Sequence, residues 1–301
     1  MRNILIFLIT LVMGLSQGFS QEYFSEKLHN GWQQTFEVSK WLVQTESPFQ
    51  KIQVFENPLF GKVLVLDDII QITEKDEFIY QEMLAHVPLI AYGNPENVLI
   101  IGGGDGGILR EVLKHKSIKK ATLVDIDGKV MEISQQYLPN ISKGAFQDPR
   151  AEIIVGDGID FVKKTDQIFD VIIVDTTDPI GPGEVLFSKD FFAGCKRALK
   201  PDGVFAIQNG VVFMQKEELK MTQKNLSPYF KNVTFYTADV PTYVGGAMAF
   251  GFASDNNRSL HLHVGDLRRR FNNISGHLNY YTPQIHRAAF ALPQWVIDYI
   301  N

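Results

Sequence analysis

A glycine-rich turn at residues 102–107 constrains the fold of this chain more than any other stretch. The apolar run Val98-Leu-Ile-Ile101 leads into Gly102-Gly-Gly-Asp-Gly-Gly107, and an amphipathic helical pattern follows at once. This order is typical of a buried parallel strand that turns into a helix. Glycine allows the backbone angles of such a turn and lets a ligand approach the main chain at the helix N-terminus. We therefore predict a ligand site here.

The turn carries an aspartate, Asp105, where an anionic ligand group would otherwise lie. A carboxylate there repels a pyrophosphate by about 4 kcal/mol at a separation of ~4 Å and an effective dielectric constant near 20. Gly102, Gly104 and Gly107 on their own satisfy the dinucleotide fingerprint, so an NAD-dependent dehydrogenase is a competing interpretation. Asp105 favours a cationic ligand instead.

Strand and helix patterns alternate from Asn97 onward, which predicts an α/β fold with a mostly parallel sheet and helices on both faces, as in Rossmann-like proteins. We divide the chain into a leader at 1–20, an N-terminal β-strand domain at 21–75 and a Rossmann-like catalytic domain at 76–301. The candidate strands of the sheet are Val98–Ile101, Ala121–Val124, Glu152–Val155, Val171–Val174, Gly203–Ile207, Val233–Tyr236 and Ala247–Ala253.

The segment before this sheet is rich in β-branched and aromatic residues punctuated by turn residues. Its predicted strands are Gln34–Val38, Trp41–Thr45, Lys51–Glu56 and Lys62–Leu66. Asp76 is expected to be the N-cap of a helix that runs to Pro88 or beyond.

Composition excludes several function classes. The chain has 301 residues, 45% of them apolar, and a formal charge of -5 with no long basic run, which argues against a nucleic-acid partner. The single cysteine, Cys195, lies in a helical pattern and is expected to be buried. His86, His261 and His263 lack the spacing of helical metal ligands, so we expect no metal.

Residues 1–20 have two open interpretations. Arg2, the apolar run Ile4–Val12 and Gly18-Phe-Ser20 resemble a secretory signal, whereas a true start at Met13 would give a cytoplasmic protein. The apolar run is too short to span a bilayer, so we expect no membrane association.

Carboxylates follow four consecutive strands of the predicted sheet, and ligands of open parallel sheets bind beyond these strand ends. The acidic residues are Asp105, Asp125 with Asp127, Asp157 and the pair Asp175 and Asp178. Asp125 lies 21 residues after Gly104, the spacing at which an acidic side chain binds a ribose diol. Asp157 with Gly158 suits an adenine edge. Asp127 serves equally well as a helix cap.

Four motifs together resemble the spermidine synthases, the family of polyamine aminopropyltransferases, and most closely the bacterial members. They are Gly102–Gly107, Thr73-Glu-Lys-Asp-Glu-Phe-Ile-Tyr80, Asp175-Thr-Thr-Asp-Pro-Ile-Gly-Pro182 and Pro241-Thr-Tyr-Val-Gly-Gly246. The similarity extends from about Phe24 to Trp295. It implies a methyltransferase-type Rossmann-like fold, transfer of an aminopropyl group from decarboxylated S-adenosylmethionine to putrescine, no metal or other cofactor, a cytoplasmic location, and a homodimer or homotetramer.

The resemblance also implies a role for each matched residue. Asp175 would be the base that acts on the attacking amine. The donor would be bound by Gln50, Gly102, Gly104, Asp105, Asp125, Asp157, Gly158 and Pro182, and the diamine by Tyr80, Gln81, Asp105, Asp175, Asp178, Gln208 and Tyr243.

Three features of the sequence depart from the family pattern, and the leader at residues 1–20 is one of them. Asp125 stands where the ribose-binding acid is usually glutamate, and Gln81 and the segment Phe24-Ser-Glu26 leave the diamine preference open. An S-adenosylmethionine-dependent methyltransferase and a non-catalytic binder of polyamine or nucleoside are the alternative functions.

Overall fold

The computed structural model describes residues 21–179 and 181–300. The two interpretations of residues 1–20 fall outside the described residues. No helix of the described part is long and apolar enough to cross a membrane.

Six strands precede the first helix. The first two form an antiparallel hairpin, and the other four form an antiparallel sheet in chain order. They are β1 (Glu22–His29), β2 (Trp32–Val38), β3 (Lys40–Glu46), β4 (Lys51–Asn57), β5 (Gly61–Leu66) and β6 (Ile69–Thr73). Strands β2 to β5 confirm the four predicted strands, whereas β1 and β6 were not predicted. In β1 only Phe24 and Glu26 are buried, so its sequence carries little apolar alternation.

The large sheet has seven strands in the order β12-β13-β11-β10-β7-β8-β9. These are β7 (Asn97–Gly102), β8 (Lys120–Asp125), β9 (Ala151–Val155), β10 (Phe169–Asp175), β11 (Leu199–Val211), β12 (Asn232–Ala238) and β13 (Met248–Ser254). Strands β7 to β11 are parallel, and β13 runs antiparallel to both of its neighbours. The predicted mostly parallel sheet is confirmed.

Helices cover both faces of this sheet. Along β7, Val98 and Ile100 pack in one apolar cluster, while Leu99 and Ile101 pack in another, which places a buried core on each side. Cys195 is buried in the second cluster, as expected. The helices are α1 (Glu77–Tyr92), α2 (Gly107–Leu113), α3 (Gly128–Tyr137), α4 (Pro139–Ser142), α5 (Gly158–Lys164), α6 (Lys189–Ala198), α7 (Lys216–Leu226), α8 (Val264–Phe271), α9 (Pro283–Ala289) and α10 (Gln294–Ile300).

Asp76 occupies the N-cap position of α1, but its side chain does not cap the helix. Its carboxylate instead accepts hydrogen bonds from the hydroxyl of Thr73 at 2.6 Å and from the amide and hydroxyl of Thr242 at 2.9 and 2.8 Å. This buried carboxylate ties the loop around residue 242 to the start of α1. The tie positions Tyr243 beside Tyr80.

Candidate active site

The carboxyl ends of four neighbouring strands meet at one cavity. Strands β10, β7, β8 and β9 are adjacent and parallel, so the turns after them lie at the same edge of the sheet. The cavity at this edge has a volume of about 370 Å³. Its wall includes Asp105, Asp125, Asp157 and Asp175, one from each strand end or the turn after it. The structure therefore brings together carboxylates that are far apart in the sequence.

Most other predicted site residues also line this cavity: Gln50, Tyr80, Gly102, Gly104, Gly158, Asp178, Gln208 and Tyr243. Gln81 does not. Pro182 lies in a short 3-10 helix, Gly181–Phe187, and its side chain is outside the described residues. The N-terminal segment also contributes to the cavity wall, through Glu26 and His29 of β1, Gln71 of β6 and Gln50 of the turn between β3 and β4.

The glycine turn is shaped by the close approach of the neighbouring strand. Gly102 has φ +80°, and a Cβ built on it would lie 2.0 Å from the carbonyl oxygen of Asp175. A Cβ on Gly104 would lie 2.8 Å from Oδ2 of Asp125. Only glycine fits at position 102, because both the backbone angle and the space exclude a side chain there. The turn thus holds three strand ends in contact.

Asp105 is fixed at the beginning of α2. Its Oδ1 accepts the amide hydrogen of Gly107 at 2.6 Å, and the amide nitrogen of Gln81 donates to it at 3.2 Å. Burial raises the pKa of the Asp105 carboxyl, and the bond from Gly107, the charge of Arg110 and the bond from Gln81 oppose that rise. Gln81 is itself fully buried. The structure therefore places Gln81 behind Asp105 rather than on the cavity wall.

Asp175 ends β10 at the centre of the cavity. The hydroxyl of Tyr80 donates to its Oδ1 at 2.6 Å. Burial, with the nearby charge of Asp105, raises the pKa of Asp175 to about 8. Tyr243 packs edge-on against Tyr80 with ring centroids 5.8 Å apart, and its hydroxyl donates to the carbonyl of Gln71. The Asp175 carboxyl therefore changes between its protonated and ionised forms near pH 8, and its ionised form can accept a proton.

The other side of the cavity is lined by Asp125 and Gln50. Burial is the main cause that raises the pKa of Asp125 to about 6. The side-chain nitrogen of Gln50 donates a hydrogen bond to Oδ2 of Asp127 at 2.9 Å. This bond connects the turn before β4, in the four-stranded sheet, to the turn after β8, in the seven-stranded sheet. Asp127 also caps α3 through the amide of Lys129, as its alternative interpretation expected.

Asp157 is both a residue of the cavity wall and the N-cap of a helix. It lines the cavity, and its carboxylate accepts the amide hydrogen of Ile159 at 2.7 Å at the start of α5. Gly158 is buried behind it, and a Cβ there would lie 2.5 Å from Cγ2 of Ile101. Gly158 therefore allows α5 to approach β7 closely.

Asp178 has several polar neighbours that the sequence did not predict. We call this part of the cavity its far end. Gln215 donates to Oδ2 of Asp178 at 2.8 Å, and burial raises the pKa of Asp178. Glu26 and His29 reach the same end from β1. The family motifs carry no signal for these residues, because they come from an unpredicted strand and from the start of a surface helix.

The cavity is acidic. Among the described residues, those that line it include five aspartates in addition to Asp67, one glutamate and one histidine, and no lysine or arginine. No group of three or more potential metal ligands occurs in the described part of the chain. His86, one of the histidines considered in the sequence, is buried against His115 and Glu111. Such a wall attracts cations.

The fold and this cavity define a Rossmann-like α/β protein with an acidic ligand site at the carboxyl edge of its sheet. Comparison with known proteins gives the family. Residues 77–262 match the spermine/spermidine synthase domain, and residues 22–74 match the spermidine synthase tetramerisation domain. This chain belongs to the spermidine synthase family of polyamine aminopropyltransferases.

Curated relatives and solved structures agree with this assignment. A polyamine aminopropyltransferase of Klebsiella pneumoniae is 50% identical over 276 residues, which cover 92% of this chain and 96% of the relative. The enzyme of Erwinia tasmaniensis is 48% identical and covers 93% and 98%.

Two solved structures are similar over nearly the whole chain. A spermidine synthase in complex with the transition-state analogue AdoDATO is 40% identical, with a TM-score of 0.88 and coverage of 93% and 95%. The spermidine synthase of Thermotoga maritima is 38% identical, with a TM-score of 0.85 and coverage of 93% and 94%. The predicted family, fold and transferase class are confirmed.

Proposed function

We propose that this chain transfers the aminopropyl group of decarboxylated S-adenosylmethionine to putrescine, which yields spermidine and methylthioadenosine. The observation that carries the proposal is the position of Asp105. Its carboxylate lines the cavity inside the glycine turn, where a dinucleotide enzyme would bind phosphate. A donor that has lost its carboxylate and kept its ammonium group complements this side chain.

The donor lies, in this proposal, across the turns after β7, β8 and β9. Asp125 accepts hydrogen bonds from the ribose, and Asp157 with Gly158 borders the adenine. Gln50 contacts the donor from the N-terminal sheet, and Pro182 lies on the nucleoside side. The distances within the turn support this arrangement, because Gly104 brings the backbone against Asp125.

The acceptor lies between Asp175 and Asp178, with Tyr80, Gln208 and Tyr243 around it and Gln81 acting through Asp105. One amine of putrescine binds near Asp175 and the other near Asp178. The acidic side chains along the cavity, six aspartates and one glutamate, favour the dication over neutral amines.

The reaction requires one proton transfer and one displacement. An alkylammonium has an ordinary pKa near ~10.4, and the pKa of Asp175 is raised to about 8, so the gap is far smaller than for an ordinary aspartate. The ionised carboxylate of Asp175 first accepts a proton from the bound ammonium, and the neutral amine nitrogen then attacks the aminopropyl carbon next to sulfur. The new carbon–nitrogen bond forms, the carbon–sulfur bond breaks, and its electron pair neutralises the sulfonium. No metal or other cofactor takes part in these steps.

We further propose that the protein is a cytoplasmic homodimer or homotetramer. The match of residues 22–74 to a tetramerisation domain supports an oligomer. The donor expected from the family resemblance is an intracellular metabolite, which supports a cytoplasmic location.

A product assay tests the proposed reaction. Purified protein is incubated with putrescine and either decarboxylated or ordinary S-adenosylmethionine, and methylthioadenosine and S-adenosylhomocysteine are quantified. We expect methylthioadenosine and spermidine from the decarboxylated donor only. S-adenosylhomocysteine without methylthioadenosine would instead identify a methyltransferase, and binding without either product would identify a non-catalytic protein.

A further inference from the structure

The amide of Gln215 bridges two carboxylates at the far end of the cavity. Its nitrogen donates to Oδ2 of Asp178 at 2.8 Å and to Oε1 of Glu218 at 2.9 Å, and its oxygen accepts the amide hydrogen of Val211 at 2.7 Å. All three bonds hold the amide in one orientation. Gln215 therefore presents only its donor side to Asp178.

A glycine makes room for this bridge. Gly210 has φ +65°, and a Cβ on it would lie 2.7 Å from Cδ of Gln215. The N–H of Gly210 in turn donates to the side chain of Gln208 at 3.0 Å, so the same turn places a second amide on the cavity wall. The end of β11 is therefore shaped around Gln215.

Glu218 lies behind the cavity wall, and only one of its two carboxylate oxygens is hydrogen-bonded in the described part of the chain. Its Oε2 is inaccessible to solvent and has no hydrogen-bond partner among the described residues. Two further ionisable residues of the cavity wall, Glu26 and His29, lie close enough to Asp178 for their charges to interact with it. Burial and the nearby Asp178 raise the pKa of Glu218 to about 8. Two carboxylates thus share one amide group, and among the described residues the cavity wall beside them carries no lysine or arginine.

We propose that Glu218, acting through Gln215 on Asp178, makes the far end of the cavity selective for an acceptor that carries a second ammonium group. A cation beside Asp178 relieves the repulsion between the two carboxylates, so both are ionised in the complex. A monoamine of the same length brings no charge to this end. Glu218 is a positioning residue, since it touches Gln215 rather than the acceptor.

This inference rests on the proposed function and is tested with two acceptors. Putrescine is compared with 1-aminobutane, measured as an acceptor or, where it is not turned over, as a competitive inhibitor. In Glu218→Gln we expect KM for putrescine to rise about tenfold, the scale of one charge-assisted interaction, with kcat within about twofold. The KM for 1-aminobutane, or its inhibition constant where it is not turned over, should stay unchanged. Glu218→Asp, which keeps the charge, should recover part of the putrescine KM.

A control and a second variant keep the test decisive. Glu217 is an exposed carboxylate next to Glu218 on α7. Glu217→Gln should leave the KM for putrescine and the constant for 1-aminobutane unchanged. If Glu218→Gln does not fold, Gln215→Met removes the bridge and should cause the same loss of discrimination. An unchanged putrescine KM, or an equal weakening of both amines, would overturn the inference while leaving aminopropyl transfer intact. A wild-type protein that forms no methylthioadenosine would overturn the proposed function itself.

Discussion

The phenol of Tyr80, on helix α1, donates a 2.6 Å hydrogen bond to Oδ1 of Asp175, at the end of β10. This bond stabilises the ionised carboxylate and so lowers its pKa, whereas burial and the charge of Asp105 raise it. The balance leaves the pKa at about 8. Tyr80 therefore tunes the group that we propose as the base.

Replacing Tyr80 by phenylalanine should move the pH dependence of turnover. Without the hydrogen bond the pKa of Asp175 rises further, so less of it is ionised at neutral pH. We expect kcat/KM for putrescine to fall about 10–100-fold at pH 7, the scale of one hydrogen bond to a charged group, and to recover partly at pH 9. Initial rates of methylthioadenosine release between pH 6.5 and 9.5 measure this.

The chain contains a matched control for this substitution. Tyr92 donates a 2.6 Å hydrogen bond to Oδ1 of Asp170, at the opposite end of β10 and away from the cavity. Tyr92→Phe removes the same chemical group without touching the site. It should leave the pH profile unchanged, and a shift of equal size in both variants would show that the effect at Tyr80 is structural.

Asp175→Asn should separate chemistry from nucleoside binding. The amide has the shape of the carboxylate but cannot accept the proton, so kcat should fall about 100–10,000-fold, as is typical for a lost base. Binding of methylthioadenosine, followed by calorimetry, should remain within about threefold of the wild type. Unchanged turnover would remove Asp175 from its proposed role.

The free protein should lose stability as the pH rises from 7 to 9. Asp175 and Glu218 have folded pKa values near 8, above their ordinary values, so the folded state binds these protons more tightly than the unfolded chain. Their contribution is complete below about pH 4 and is lost as the pH passes 8. The buried histidines His115 and His286 have lowered pKa values and titrate below this window.

Thermal unfolding at constant ionic strength measures this loss, which we expect to be about 1–3 kcal/mol. Saturating putrescine should reduce it, because its ammonium groups stabilise the ionised carboxylates. A midpoint temperature that is constant or higher at pH 9 than at pH 7 would contradict the account.

Gly102→Ala should damage both the fold and the site. A Cβ 2.0 Å from the carbonyl oxygen of Asp175 forces the ends of β7 and β10 apart, and the positive φ adds strain. We expect a loss of about 2 kcal/mol or more in unfolding free energy, together with lost turnover. Gly276 has φ +81° with no atom within 4 Å of its built Cβ, so Gly276→Ala reports the strain alone. Equal losses in both variants would show that the close approach is unimportant.

The sequence predicted the parts of this structure that follow from local periodicity. The strands β7 to β10 are apolar runs that end in acidic turns, and a parallel sheet must bring those ends to one edge. Asp105, Asp125, Asp157 and Asp175 were therefore expected to meet, and they line one cavity.

What depends on packing between distant elements was not predictable. Glu26 and His29 lie on β1, whose alternation is weak, and Gln215 and Glu218 look like ordinary polar residues at the start of α7. Gln81 is one residue from Tyr80 in sequence, yet the helix turns it behind Asp105 instead of into the cavity. The N-cap pattern predicted the start of α1 correctly. The side chain of Asp76, however, binds Thr73 and Thr242 instead of capping the helix.

The central claim is that Asp105 selects a donor that has lost its carboxylate. Isothermal titration of decarboxylated S-adenosylmethionine, S-adenosylmethionine and methylthioadenosine into the wild type and Asp105→Asn tests it most directly. The account predicts that the wild type binds the decarboxylated donor at least tenfold more tightly than S-adenosylmethionine, on the scale of one charge-assisted interaction. Asp105→Asn should lose most of that preference and keep its affinity for methylthioadenosine. Equal affinities for the two donors in the wild type, or an equal loss for all three ligands in the variant, would contradict it.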